Sequence, residues 1–285
     1  MDRWLIYCEE RFPLLNYLAI IAGLSFSGLV IRHGAPSFAP FLFSMIGLFL
    51  IFFLYRIMDD TKDYEVDILA HPDRPLPKVL FAVDEFKVAI NLLQIAMFVF
   101  AMITWMLFSK IAGMTYLIIA VYLWHMYREF YIDHWISKKP ITYGLTHLII
   151  IVLITLFPVS LTRPELILTF SFLSYGFMIF AAFFTYDICR KLDEHAHPTL
   201  KTYLQYHGFN KIFILCVFTL IISAVGAKVT SMQILLWPIE LVVLLSLCIV
   251  YFDRTKWGIA QGAATASVFI HVWAGTFFYI KSMLG

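Results

Sequence analysis

The stretch Phe52-Phe53-Leu54-Tyr55-Arg56-Ile57-Met58-Asp59-Asp60-Thr61-Lys62-Asp63-Tyr64-Glu65-Val66-Asp67 decides how this chain is read. Here an apolar run, His33–Tyr55, meets a dense acidic segment. A helix that crosses a bilayer needs about 20 mostly apolar residues. The run is long enough, so the acids after it stand at a membrane face.

Eight more stretches of this kind flank it. They are Phe12–Ile31, Val88–Ser109, Ile111–Tyr127, Pro140–Thr162, Leu166–Tyr186, Ile212–Ala227, Val229–Phe252 (broken once, by Glu240) and Trp257–Ile280. Together they predict an all-α polytopic membrane protein, a bundle of nine transmembrane helices forming one integral membrane domain over residues 1–285. None of the stretches has the alternating pattern of a membrane barrel strand. Composition agrees: 61% of the 285 residues are hydrophobic and only 14% are charged. A soluble domain is about 45–50% apolar and about 25% charged. With 21 Lys and Arg against 19 Asp and Glu, no basic excess points to nucleic acid. Four Cys in a chain this long make no disulfide scaffold.

Cations set the orientation, because inner loops carry the excess of Lys and Arg. With the N-terminus inside, sixteen of the 21 fall in inner segments. Five, Arg32, Lys110, Arg163, Lys228 and Lys281, fall in outer ones. The expected protein therefore has a cytoplasmic N-terminus and puts Gly285 outside. Of the 19 acids, only Glu165 and Glu240 lie outside or near the outer leaflet, and eight fall between Asp59 and Glu85. Asp and Glu contribute little to topology, so this concentration has another cause.

If the second helix continues past the membrane face, Asp60, Asp63 and Asp67 fall at i, i+3 and i+7, and Asp59 and Asp63 at i and i+4. These positions share one helical face. Like charges there repel, and a divalent cation removes that cost. Mg²⁺ prefers oxygen ligands and is held by one or two carboxylates, with substrate phosphates and water completing its shell. The pattern points to a Mg²⁺-bridged diphosphate at the cytoplasmic face, with Asp59, Asp60, Asp63 and Asp67 as ligands; the alternative is a solvated charge run between two helices. Arg56, and Arg74 and Lys78 in the turn His71-Pro72-Asp73-Arg74-Pro75-Leu76-Pro77-Lys78, are the matching diphosphate partners.

Asp59-Asp60-x-x-Asp63-x-x-x-Asp67 followed by Arg74-Pro75-Leu76-Pro77 resembles the first aspartate-rich motif of the UbiA superfamily, with Asp59 where that family has Asn. The resemblance implies a nine-helix membrane prenyltransferase of the UbiA type, dependent on Mg²⁺ and acting on a prenyl diphosphate within the lipid bilayer. It also implies a second acidic motif after helix six. Tyr186-Asp187-Ile188-Cys189-Arg190-Lys191-Leu192-Asp193-Glu194 stands there. Asp187 and Asp193 match the motif's first and last acids and join the expected catalytic and metal-binding set. Arg190 replaces the middle acid and Leu192 the Gly. Arg190 and Lys191 then become diphosphate partners able to replace part of a second Mg²⁺ shell. The family's basic stretch before helix five makes Lys138 a further phosphate candidate.

Ionising a prenyl diphosphate leaves an allylic cation. It is either captured by an acceptor, whose identity the residues do not give, or closes on its own double bonds. The second outcome is UbiA-type terpene cyclisation; a membrane transporter is the more distant alternative. Among intramembrane polar groups, Asn16, Asn91 and Gln94 suit a cavity lining or interhelical hydrogen bonds. His125, His147 and His271 have no spacing for paired haem ligation. Glu240 lies close enough to the outer end of its span to read as an interfacial residue.

Overall fold

The structure, a computed structural model, describes residues 3–32, 34–78, 80–200 and 202–284. His33, where the expected second span begins, Lys201 among the inner cations and the terminal Gly285 lie outside them. The helices run α1 (Arg3–Arg11), α2 (Leu14–Val30), α3 (Phe38–Lys62), α4 (Tyr64–Ala70), α5 (Val83–Leu107), α6 (Lys110–Tyr127), α7 (Asp133–Ile136), α8 (Pro140–Leu148), α9 (Ile150–Thr162), α10 (Phe170–Cys189), α11 (Tyr203–His207), α12 (Phe209–Val229), α13 (Gln233–Phe252) and α14 (Trp257–Leu284). There is no strand among the described residues.

Local chemistry marks the boundaries. Pro13 precedes α2, and α1 meets α2 at a bend of 63°. Ser109 caps α6 by accepting the Ala112 amide at 3.0 Å. Pro140 opens α8 at a position where no amide is needed. Each of the nine expected stretches is helical over most of its length. Seven segments are long and apolar enough to cross a membrane: Phe38–Lys62, Val83–Leu107, Pro140–Thr162, Phe170–Cys189, Phe209–Val229, Gln233–Phe252 and Arg254–Met283. The bent pair α1 and α2 makes an eighth if taken as one broken span. The helix at the expected fourth span, α6, is outside that set. It has 18 residues, and Thr115, Tyr116, Tyr122 and His125 dilute its apolar character.

Outer helices present apolar faces outward. On α5, Val88, Leu92, Ile95, Val99, Met102 and Met106 are all exposed and follow one another by a turn. A stripe of that length suits hydrocarbon and would be a liability in water. The central helices differ: 72% of the apolar window is buried in α8–α9 and in α10, against 33% in α3, α5 and α13. Small residues set the closest approaches. A Cβ on Gly226 of α12 would stand 2.7 Å from the Met178 Cβ and 2.8 Å from the Ser174 carbonyl oxygen of α10. Helices associate in membranes through such small-residue contacts.

α3 runs the length of the bundle into the acidic segment. It pauses at Asp63, and α4 resumes one residue later. The continuous helix expected across Asp59–Asp67 is therefore kinked. Its hydrogen bonds still carry through, from the Asp63 amide to the Asp59 carbonyl (2.9 Å) and from the Asp67 amide to the Asp63 carbonyl (2.7 Å). The acids keep helical spacing while α4 turns away.

Candidate active site

At the end of α3 the carboxylates are unequally neutralised. Asp60 is 4% exposed and receives the Tyr7 hydroxyl at 2.9 Å, Arg56 Nη2 at 2.9 Å and the Arg11 guanidinium. Asp59 takes only Arg56 Nη1, at 3.3 Å. Asp67 is buried against Arg74. Asp63 receives no hydrogen bond or ion pair among the described residues. Burial, together with the charges of Asp59 and Asp67, pushes its carboxyl up to about 7. Lys78, expected to face phosphate, is held by Glu10 at 2.9 Å.

The end of α10 is the reverse case. Asp187 is 8% exposed, and both of its oxygens are taken. Oδ1 receives Arg190 Nε at 2.9 Å and Nη2 at 2.8 Å. Oδ2 receives Lys191 Nζ at 2.9 Å and the Tyr203 hydroxyl at 2.7 Å. Tyr203 reaches this point past Gly144 of α8, where any Cβ would collide with its phenol oxygen. Asp193 does not join Asp187. Its Oδ1 accepts the His195 amide at 2.9 Å within the following turn.

Asp187 holds the Arg190 guanidinium protonated well above the ordinary arginine range, and the charge of Asp59 adds to this. Sequence reasoning did not find the groups that tie the site together. Arg11 and Tyr7 lie 49 and 53 residues from Asp60, and only the turn at Pro13 brings α1 back onto α3. Lys62 Nζ meets the Tyr143 hydroxyl at 2.9 Å, His147 Nε2 at 3.0 Å and Glu129 at 3.3 Å. The His147 ring accepts that ammonium contact and places Nδ1 2.8 Å from the Tyr143 carbonyl oxygen.

Lys138 is exposed on the connection before α8. Asn91 is exposed on the face of α5 that carries Val88 and Ile95, and Gln94 is buried there, donating to the Ala120 carbonyl at 3.0 Å. Asn16 is exposed at the start of α2. Glu240 turns into the bundle rather than outward. It is 6% exposed inside the bundle, 3.5 Å from His271 Nε2, which also meets the Ser223 hydroxyl at 2.9 Å.

No three His, Cys, Asp or Glu side chains among the described residues converge as a ready-made metal site. A Mg²⁺ ion needs fewer, because phosphate oxygens and water complete its shell. The first cluster fits such an ion at Asp59 and Asp63, which are hard oxygen donors, and Asp63 has no cation of its own among the described residues; Asp67 is already paired with Arg74. The second cluster does not fit one, since the Asp187 oxygens are already filled.

No family model matches the sequence, and no curated protein matches it. Among solved structures, that of a digeranylgeranylglyceryl phosphate synthase of membranes is similar, with a TM-score of 0.70 over 99% of this chain and 100% of that one, at 14% identity. At 14% identity the likeness is one of fold: the chain shares the fold of that synthase. On this fold the acidic ends of α3 and α10 carry their own set of cations, with Arg190 inside the second.

Proposed function

We propose that this protein is a Mg²⁺-dependent membrane prenyltransferase that ionises a prenyl diphosphate and passes the prenyl group to an acceptor. One observation carries the reading: on a fold shared over its full length with a digeranylgeranylglyceryl phosphate synthase, α3 and α10 each end in a buried carboxylate braced by cations, Asp60 by Arg11 and Arg56 and Asp187 by Arg190 and Lys191. The proposed topology has nine spans, counting α2 and α6, with the N-terminus and the site on the cytoplasmic side. The excess of inner Lys and Arg supports it.

Asp59 and Asp63 would hold the ion, while Asp67 stays paired with Arg74. Mg²⁺ bound there neutralises diphosphate oxygens and stabilises the departing group. Arg190 and Lys191 approach the diphosphate from the opposite wall, with donors beyond those spent on Asp187. Arg56 offers one more, since its buried Nε has no partner. Asp60, gripped by Arg11, Arg56 and Tyr7, positions Arg56 at the junction. The hydrocarbon tail would enter the bundle among apolar side chains, where excluding water protects the allylic cation from quenching.

Thermal melting of the purified protein in lipid nanodiscs tests this reading. A prenyl thiolodiphosphate, which does not ionise readily, is expected to raise the melting temperature only when Mg²⁺ is present. No shift under any combination, together with ion flux in liposomes, would reject the enzyme in favour of a transporter.

A further inference from the structure

The two walls of the site are neutralised by different means. On the α3 side, Asp63 has no cationic partner, and Asp59 has a single contact with Arg56 at 3.3 Å. On the α10 side, one carboxylate meets two cations and a phenol. Arg190 places both Nε and Nη2 on Asp187 Oδ1, while Lys191 and Tyr203 fill Oδ2. Metal binding at Asp187 would have to displace the ammonium, the guanidinium or the phenol from oxygens they already fill, and losing these charge-assisted hydrogen bonds is costly.

The chain supplies no second carboxylate to offset that cost. Residue 190, three positions after Asp187 and so on the same helical face, is itself the arginine. Asp193 is engaged with the His195 amide, and Glu194 reaches toward Arg254 at 3.9 Å. Lys191 is further fixed over the Tyr203 ring, 4.7 Å from its centroid. The side chains of Arg190 and Lys191 are nevertheless 44% and 33% exposed, so each presents free N–H groups away from Asp187.

We propose that the diphosphate is clamped asymmetrically. A single divalent cation sits on Asp59 and Asp63, beside an Asp67 already paired with Arg74, and the Arg190 guanidinium with the Lys191 ammonium form the other wall, where no metal ion binds. This rests on the diphosphate-binding reading above and adds its metal count. Asp187 and Tyr203 are positioning residues in this arrangement. They hold the two cations in place and touch no metal.

Counting bound Mn²⁺ tests the proposal without relying on turnover. The full-length protein in nanodiscs is equilibrated with Mn²⁺ and inorganic pyrophosphate, and bound Mn²⁺ per chain is read by electron paramagnetic resonance. One pyrophosphate-dependent ion per chain is expected; two would overturn the single-metal clamp while leaving the diphosphate site intact. Pyrophosphate binding with no Mn²⁺ would overturn the clamp and the metal reading together, and no binding of either would overturn the diphosphate site itself. Variants locate the ion. Asp63→Asn is expected to abolish Mn²⁺ uptake, and Asp187→Asn to leave it at one. Arg190→Gln is expected to keep one ion while weakening pyrophosphate about tenfold, the loss of one charge-assisted contact. Arg190→Asp, which frees Asp187 and adds a carboxylate beside it, is expected to raise the count to two. Loss of Mn²⁺ in Asp187→Asn, with unchanged melting, would place the metal on the wrong wall and refute the proposal.

Discussion

At the end of α10 a single buried carboxylate, Asp187, meets Arg190, Lys191 and Tyr203, all within 2.9 Å. At the end of α3 five acids lie between Asp59 and Asp67, and the cations around them reach only some. Asp60 is gripped from three sides and Asp67 from one, while Asp63 is left to its like-charged neighbours. Burial without a partner makes a carboxylate costly to ionise. The comparison separates a wall complete in itself from one that lacks positive charge. A third polar site, Glu240 with His271, lies elsewhere in the bundle and shares nothing with either wall.

The contrast breaks most readily at Asp63. Asp63→Asn keeps the shape and removes the charge. Turnover of a prenyl diphosphate is expected to fall about a thousandfold, as when a main electrostatic stabiliser of a transition state is lost. Chelating Mg²⁺ should have the same effect, and adding a chelator to the variant should change nothing more. Full turnover by the variant would remove Asp63 from the metal site.

Arg74→Ala comes next. Asp67 is 3% exposed in its side chain and Arg74 is the cation paired with it, so the variant strands a buried carboxylate. Denaturant unfolding in mild detergent should show a loss of about 3 kcal/mol. A neutral result would mean that α4 relaxes to hydrate Asp67, and that this wall is looser than its burial indicates.

Glu240→Ala separates the inner pair from the walls. Removing a carboxylate beside a buried imidazole is expected to cost about 2 kcal/mol of stability. Turnover per folded molecule should stay unchanged, and a large fall in it would tie this pair to the chemistry. The smallest effect is expected from Tyr203→Phe. It deletes one hydrogen bond at 2.7 Å and leaves both cations on Asp187. The Michaelis constant for the diphosphate substrate should rise about fivefold, equivalent to about 1 kcal/mol. A change in the rate constant alone would give the phenol a part in the reaction.

Much of this was legible in the chain because the bilayer acts as a solvent with one requirement. A spanning helix satisfies its own backbone and faces lipid with apolar residues, so the spans and the acids at their ends follow from local sequence. The helical spacing of Asp59, Asp63 and Asp67 was equally local. What could not be read were partners set by the packing of distant helices. Arg11 reads as a topology charge until α1 folds back onto Asp60. Lys78 reads as a phosphate ligand until Glu10 of the same α1 takes it. Tyr203 reaches Asp187 only because residue 144 on a third helix is Gly. Glu240 reads as interfacial because position along a span gives depth and says nothing of which face turns inward.

The central claim is that the paired walls hold a prenyl diphosphate for ionisation. The most direct measurement follows diphosphate release by the purified protein in nanodiscs with Mg²⁺ and geranyl, farnesyl or geranylgeranyl diphosphate, and identifies the organic product by mass. The account predicts Mg²⁺-dependent release of diphosphate from at least one donor once a suitable acceptor is supplied, appearance of a prenylated acceptor, and no release from Asp63→Asn. Intact diphosphate with every donor and a broad panel of acceptors, from protein that melts cooperatively, would contradict it.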